Sequence, residues 1–125
     1  MSATGRSFQR LAGGAFEGRR DVESFWSDWR ELRRPEGHGG SVLAQRRAIA
    51  FLEALGDREV LVASRPDDGV ARVQLGVLLG HLFDPEGLVE AEVFVLCPNR
   101  TFTAHAEVVF EATPRVDVWL VREAA

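Results

Sequence analysis

The sequence has no lysine and no tyrosine, one cysteine and one methionine. A single cysteine excludes an intrachain disulfide and a cysteine-cluster zinc site. Long apolar runs are missing too. The longest are strand-sized, far short of a membrane span, and the opening MSATGRSFQRLAGG does not read as a signal peptide. Positive charge is not in excess: 15 arginines face 19 acidic residues, for a net charge of -4. That balance argues against a general nucleic-acid binder. These absences set the expectation of a cytoplasmic chain with no membrane, nucleic-acid, cofactor or metal requirement.

What is present fits one soluble globular domain. Of the 125 residues, 46% are hydrophobic and 27% charged, the balance of a packed domain. No Ser/Gly/Pro-rich linker or internal repeat divides them. Residues 1-13 read as a flexible N-terminus and 14-125 as a single α+β domain. The charge is uneven: residues 1-56 carry nine Arg and seven acids, and 57-125 carry six Arg and twelve.

The front reads as helical. Val22, Phe25, Trp26, Trp29 and Leu32 recur at helical spacing, which predicts a helix from Asp21, as its cap, to about Arg33. The aromatic stretch 25-29 also suits a short strand. A second helix is predicted from Ser41 to Leu55, with Gly56 ending it. The back reads as a β-meander, with strands at 58-64, 70-83, 88-97, 100-111 and 115-122, punctuated by PDDG, DPEG, CPNR and ATPR. The fold class is therefore α+β: N-terminal helices on an antiparallel sheet of about five strands.

Register follows from the turns. A two-residue loop at Pro98-Asn99 pairs Val95 with Phe102, Val93 with Ala104 and Glu92 with His105. One face then carries Val77, Leu79, His81, Phe83, Val89, Val93, Val95, Val116, Val118 and Leu120. The opposite face carries Leu78, Phe94, Leu96, Trp119 and Val121 beside Glu90, Glu92, His105 and Glu107. With helices on one side only, that second face would be an exposed apolar patch, the usual mark of an interface. It predicts a homo-oligomer or a protein partner gripping Phe94, Leu96 and Trp119.

The most suggestive stretch is Gly37-His38-Gly39-Gly40-Ser41. Placed at a helix start, its backbone N–H groups and the positive dipole end suit an anion or a reacting carbonyl. Arg46 and Arg47 stand nearby on the same predicted helix. A His-Gly-Gly opening an apolar helix, followed by an antiparallel meander, resembles the hot-dog fold thioesterases of the PaaI-like group over roughly residues 37-122. The resemblance implies a sheet wrapped round the helix and a two-subunit sheet. It also implies an acyl-CoA or acyl-carrier-protein ligand, with His38, Gly39 and Gly40 as catalytic residues. Ser41, Arg46 and Arg47 would be ligand-binding. Where that family carries a catalytic carboxylate on the helix, this sequence has Arg47, so the expectation is acyl-thioester binding with hydrolysis left open.

Other arrangements compete. Arg34-Pro-Glu-Gly-His-Gly39 is similar to the pyrophosphate loop of GNAT acetyltransferases, although the strands that precede that loop are missing. Glu92, His105, Glu90 and Glu107 gather on one sheet face, where a carboxylate beside an imidazole favours its charged form. One imidazole among carboxylates is a poor zinc set, so no metal site is assigned. Arg100 and His105 are separated onto different faces by strand alternation, and Cys97 reads as a buried, inert thiol. A non-catalytic assembly subunit and an open cone with a ligand pocket stand as alternatives to the acyl-thioester reading.

Overall fold

A computed structural model describes residues 19–33, 41–65, 70–83, 91–109 and 113–121. In chain order the elements are α1 (Arg19–Leu32), β1 (Ser41–Ala44), α2 (Arg46–Ala54), β2 (Glu59–Arg65), β3 (Val70–Gln74), α3 (Leu75–Phe83), β4 (Ala91–Leu96), β5 (Phe102–Val108) and β6 (Arg115–Leu120). The six strands form one antiparallel sheet in the order β1-β6-β5-β4-β2-β3. The α+β class is as the sequence indicates. The expected N-terminal segment 1-13 lies outside the described residues, as does the connection at 84-90 with its expected core residue Val89.

Strand alternation divides the sheet into two faces. On one, Val60, Val62, Val93, Val95, Phe102, Ala104, Val116 and Val118 are buried with Ala48 and Leu52 of α2 and Leu75, Leu78 and Leu82 of α3. Phe51 of α2 meets Phe102 edge-on, with ring centroids 5.5 Å apart. On the other, α1 lays Phe25 and Leu32 over Ala63, Val70, Phe94 and Leu96. Helices thus cover both faces.

Three local expectations are corrected. Residues 41-44 are a strand, not the first turn of a helix: Ser41–Ala44 pairs with Asp117–Leu120 of β6, and α2 begins only at Arg46. Residues 75-83 are helix α3, not the second half of a long strand. Leu75, Leu78, Leu79 and Leu82 repeat at helical spacing, and the Asp57 carboxylate accepts the Gly76 N–H at 3.1 Å near the helix start. Val77 and Phe83, expected in the core, consequently face solvent. Asp21 lies within α1 and not at its cap position.

The β4–β5 hairpin is wider than the predicted two-residue turn. Val95 pairs with Ala104, Phe94 with His105 and Glu92 with Glu107. Asn99 holds this loop open: its Oδ1 accepts from Thr101 N at 3.2 Å, Thr101 Oγ1 at 2.6 Å and Cys97 Sγ at 2.8 Å. Arg100 takes the left-handed region at φ 62. The register moves by two residues, so every side chain keeps its expected face. Gly56, at φ +71, ends α2 as predicted.

Candidate functional site

The start of α2 is shaped by Gln45. Its backbone sits at φ 48, ψ -114, a costly region for a residue with a Cβ. Tertiary hydrogen bonds hold it there. Gln45 N donates to Val116 O at 2.8 Å, Val116 N donates to Gln45 Oε1 at 2.8 Å, and Gln45 Nε2 donates to Pro114 O at 3.2 Å. The side chain is therefore spent on β6 and makes no cap to the helix. The first turn holds no acidic residue, and the exposed Arg46 and Arg47 stand on it. Helix N-termini ordinarily attract negative side chains. This one offers uncapped N–H groups beside two guanidinium groups, an arrangement suited to an anion.

The other expected residues of this site are placed differently. His38, Gly39 and Gly40 lie outside the described residues. Ser41 is in β1, its backbone paired with Leu120, so strand β1 and Gln45 separate the glycines from the helix start. The one acidic residue of α2, Glu53, was not among those expected residues; it is exposed in the last turn, away from Arg46 and Arg47.

The residues expected at an interface lie on the α1 face. Phe94 and Leu96 are buried, at 5% and 3% exposure, and the chain's own helix covers them. Trp26 and Trp29 of α1 contact Phe94 edge-on, with centroids 4.8 and 5.2 Å away. Trp119 is half-buried, and its Nε1 has no hydrogen-bond partner among the described residues. The apolar patch that required a partner at Phe94 and Leu96 is thus closed within the chain. Among the described residues the exposed large apolar side chains are Val42 of β1 at 53%, Val109 just past β5 at 51%, and Val77 and Phe83 of α3 at 47% and 45%.

The same face carries polar groups at its margin. Arg33, just past α1, stacks over Trp29 at 4.3 Å and donates from Nε to Thr103 Oγ1 at 2.9 Å. Burial pushes its guanidinium down to about 10, and the negative charge of Asp117 works against that. One terminal nitrogen of Arg33 has no hydrogen-bond partner among the described residues. The sequence marks Arg33 only as the end of the predicted helix, and its position one residue beyond the buried Leu32 is the available signal. On β4 and β5, His105 Nε2 lies 3.0 Å from Glu92 Oε2, reached diagonally across the strands. Arg100 sits apart from His105, 3.6 Å from Asp28 and 3.7 Å from Glu31 of α1. Cys97 is buried, as expected. His81 lies on α3, its Nδ1 without a hydrogen-bond partner among the described residues.

A surface depression of about 470 Å³ runs along α1 beside Val22, Glu23, Trp26 and Arg30, and holds none of the expected site residues. Among the described residues no helix is long and apolar enough to cross a membrane. No family model, curated protein or solved structure matches the chain.

Proposed function

We propose that the chain binds an acyl thioester of coenzyme A or of a carrier protein, without hydrolysing it, in the cytoplasm. The observation that carries this reading is the start of α2: an uncapped helix N-terminus whose first turn holds Arg46 and Arg47 and no acid. The phosphate groups of such a ligand match that charge. Hydrolysis needs a base to activate water, and the residues at the helix start are cationic. The apolar α2 lying against a broad antiparallel sheet is in keeping with the hot-dog resemblance.

The test is a calorimetric titration with acetyl-CoA, a long-chain acyl-CoA and free CoA, beside a thiol-release assay. We expect binding of the thioesters, no thiol release, and affinity falling at least about tenfold in Arg46→Gln/Arg47→Gln, one charge-assisted contact or more being removed. An unchanged affinity in that double variant, or no binding at high protein concentration, overturns the proposal.

A second reading, a non-catalytic assembly subunit, is favoured by one observation. Helix α3 is apolar nearly all round, and Val77 and Phe83 project from it into solvent. Apolar helices of that kind are usually covered. A mass in solution above that of one chain, lowered by Val77→Ser/Phe83→Ser, supports self-association. A monomer mass for the unaltered chain removes self-association from this reading.

A further inference from the structure

We propose that Glu92, His105 and Glu107 form a binding site for one divalent first-row metal ion. Glu92 and Glu107 are direct partners across β4 and β5. His105 precedes Glu107 by two positions on β5, so strand alternation puts all three side chains on the α1 face. One ligand atom from each lies within 4.8 Å of the other two, and His105 Nε2 is 3.0 Å from Glu92 Oε2. Ligands held about 2.1 Å from a metal stand about 3.0–3.5 Å apart. Small side-chain rotations therefore close the set on an ion.

The electrostatics point the same way. Like charges directly across a strand pair destabilise the sheet, and an arginine alongside would offset them. Among the described residues His105 lies within ion-pair distance of Glu92, and no cation lies within that distance of Glu107. Arg65 on β2 and Arg115 on β6 are the register partners of Glu92 and Glu107. A divalent ion held between the two carboxylates would offset their mutual repulsion directly. The site is also supported and reachable. The Phe94 ring packs against the imidazole, with centroids 4.9 Å apart, and Phe94 is in turn held by Trp26 and Trp29. The Glu92 side chain is 45% exposed, so an ion can enter from solvent. One imidazole nitrogen with two carboxylate oxygens is an oxygen-rich set that suits Mn²⁺ better than Zn²⁺, and three protein ligands leave coordination positions for water.

The experiment titrates the full chain, stripped with chelator, with ZnCl₂ and separately with MnCl₂ in a calorimeter. One ion per chain is expected. Glu107→Gln and His105→Gln should each weaken it by at least about tenfold, since even outer-shell changes at metal sites cost about 10–100-fold. Glu107→Gln also removes a like-charge pair, so the metal-free variant should melt no lower than the unaltered chain, which separates lost binding from lost folding. Failure of both ions to bind one-to-one overturns the proposal. So does binding as tight in both variants as in the unaltered chain, which would place the ion on other ligands such as His81.

Discussion

The two faces of the sheet are built to different rules. The face under α2 and α3 is apolar from Val60 and Val62 across Val93 and Val95 to Val116 and Val118, with the buried Ser64 and Cys97 as its polar atoms on β2 and next to β4. The face under α1 changes character along the sheet. Over β2, β3 and β4 it is an aromatic and aliphatic cluster, and toward β5 and β6 it carries Thr103, His105, Glu107 and Asp117. Both faces are helix-covered, but among the described strand residues the carboxylates and the imidazole lie only on the second. A sheet face can thus give stability in one half and chemistry in the other, provided the covering helix is offset.

The sharpest way to break that comparison is to truncate an aromatic on each face. Phe102→Ala removes a fully buried ring that Phe51 packs against and should cost about 3–5 kcal/mol in denaturant unfolding. Phe94→Ala should cost less and should chiefly loosen α1, read as faster amide exchange in residues 19–32 with β5 and β6 still protected. An equal loss of protection on both faces would mean that the two clusters form one cooperative core.

A smaller effect probes the outer side of α3. A Cβ at Gly80 meets nothing within 4 Å, so Gly80→Ala should stabilise by about 0.5–1 kcal/mol through helix propensity alone. Gly76→Ala should gain less, because its Cβ would come within 3.3 Å of Asp57 Oδ1. Thermal melts of the two variants check the order.

The smallest effect at neutral pH is expected at Arg33. Arg33→Met gives up a hydrogen bond to Thr103 but also a desolvated charge, and such exchanges are often close to neutral. The pH dependence carries the signal. The guanidinium is lowered to about 10 on folding, by burial first and against the pull of Asp117. Above that value the unfolded chain, with its arginine in the ordinary range, holds more protons, so the unaltered protein gains stability as pH rises through 10. Below about 9 the stability difference between the unaltered chain and Arg33→Met should be flat. Urea titrations at a series of pH values measure it, and a flat difference up to pH 11 would mean that Arg33 is solvated.

Much of the fold was legible because period and punctuation agreed. Phe25, Trp26, Trp29 and Leu32 marked α1, Gly56 marked the end of α2, and alternation assigned Val93, Val95, Val116 and Val118 to one face. Where the reading failed, two signals conflicted or a distant residue decided. Ser41–Ala44 has the apolar spacing of a helix start, yet it pairs with β6, and Gln45 adopts an unfavourable backbone to allow this. The leucine spacing of 75–83 was helical all along, but the strand Val70–Gln74 running into it without a turn signal masked the change. At the α2 start, Arg46 and Arg47 were visible, whereas the spending of the Gln45 side chain on Pro114 and Val116 was not.

By itself the sequence determined the class, the strand faces and the identity of the charged groups, because residue order alone sets which side chains alternate and which lie at helical spacing. Only the tertiary structure decided that α1 covers Phe94 and Leu96 and leaves Val77 and Phe83 exposed. It alone moved the helix start to Arg46 and brought Glu107 opposite Glu92. Those outcomes depend on which elements meet across the sheet, and an energy shared between distant residues leaves no mark in the local pattern of either.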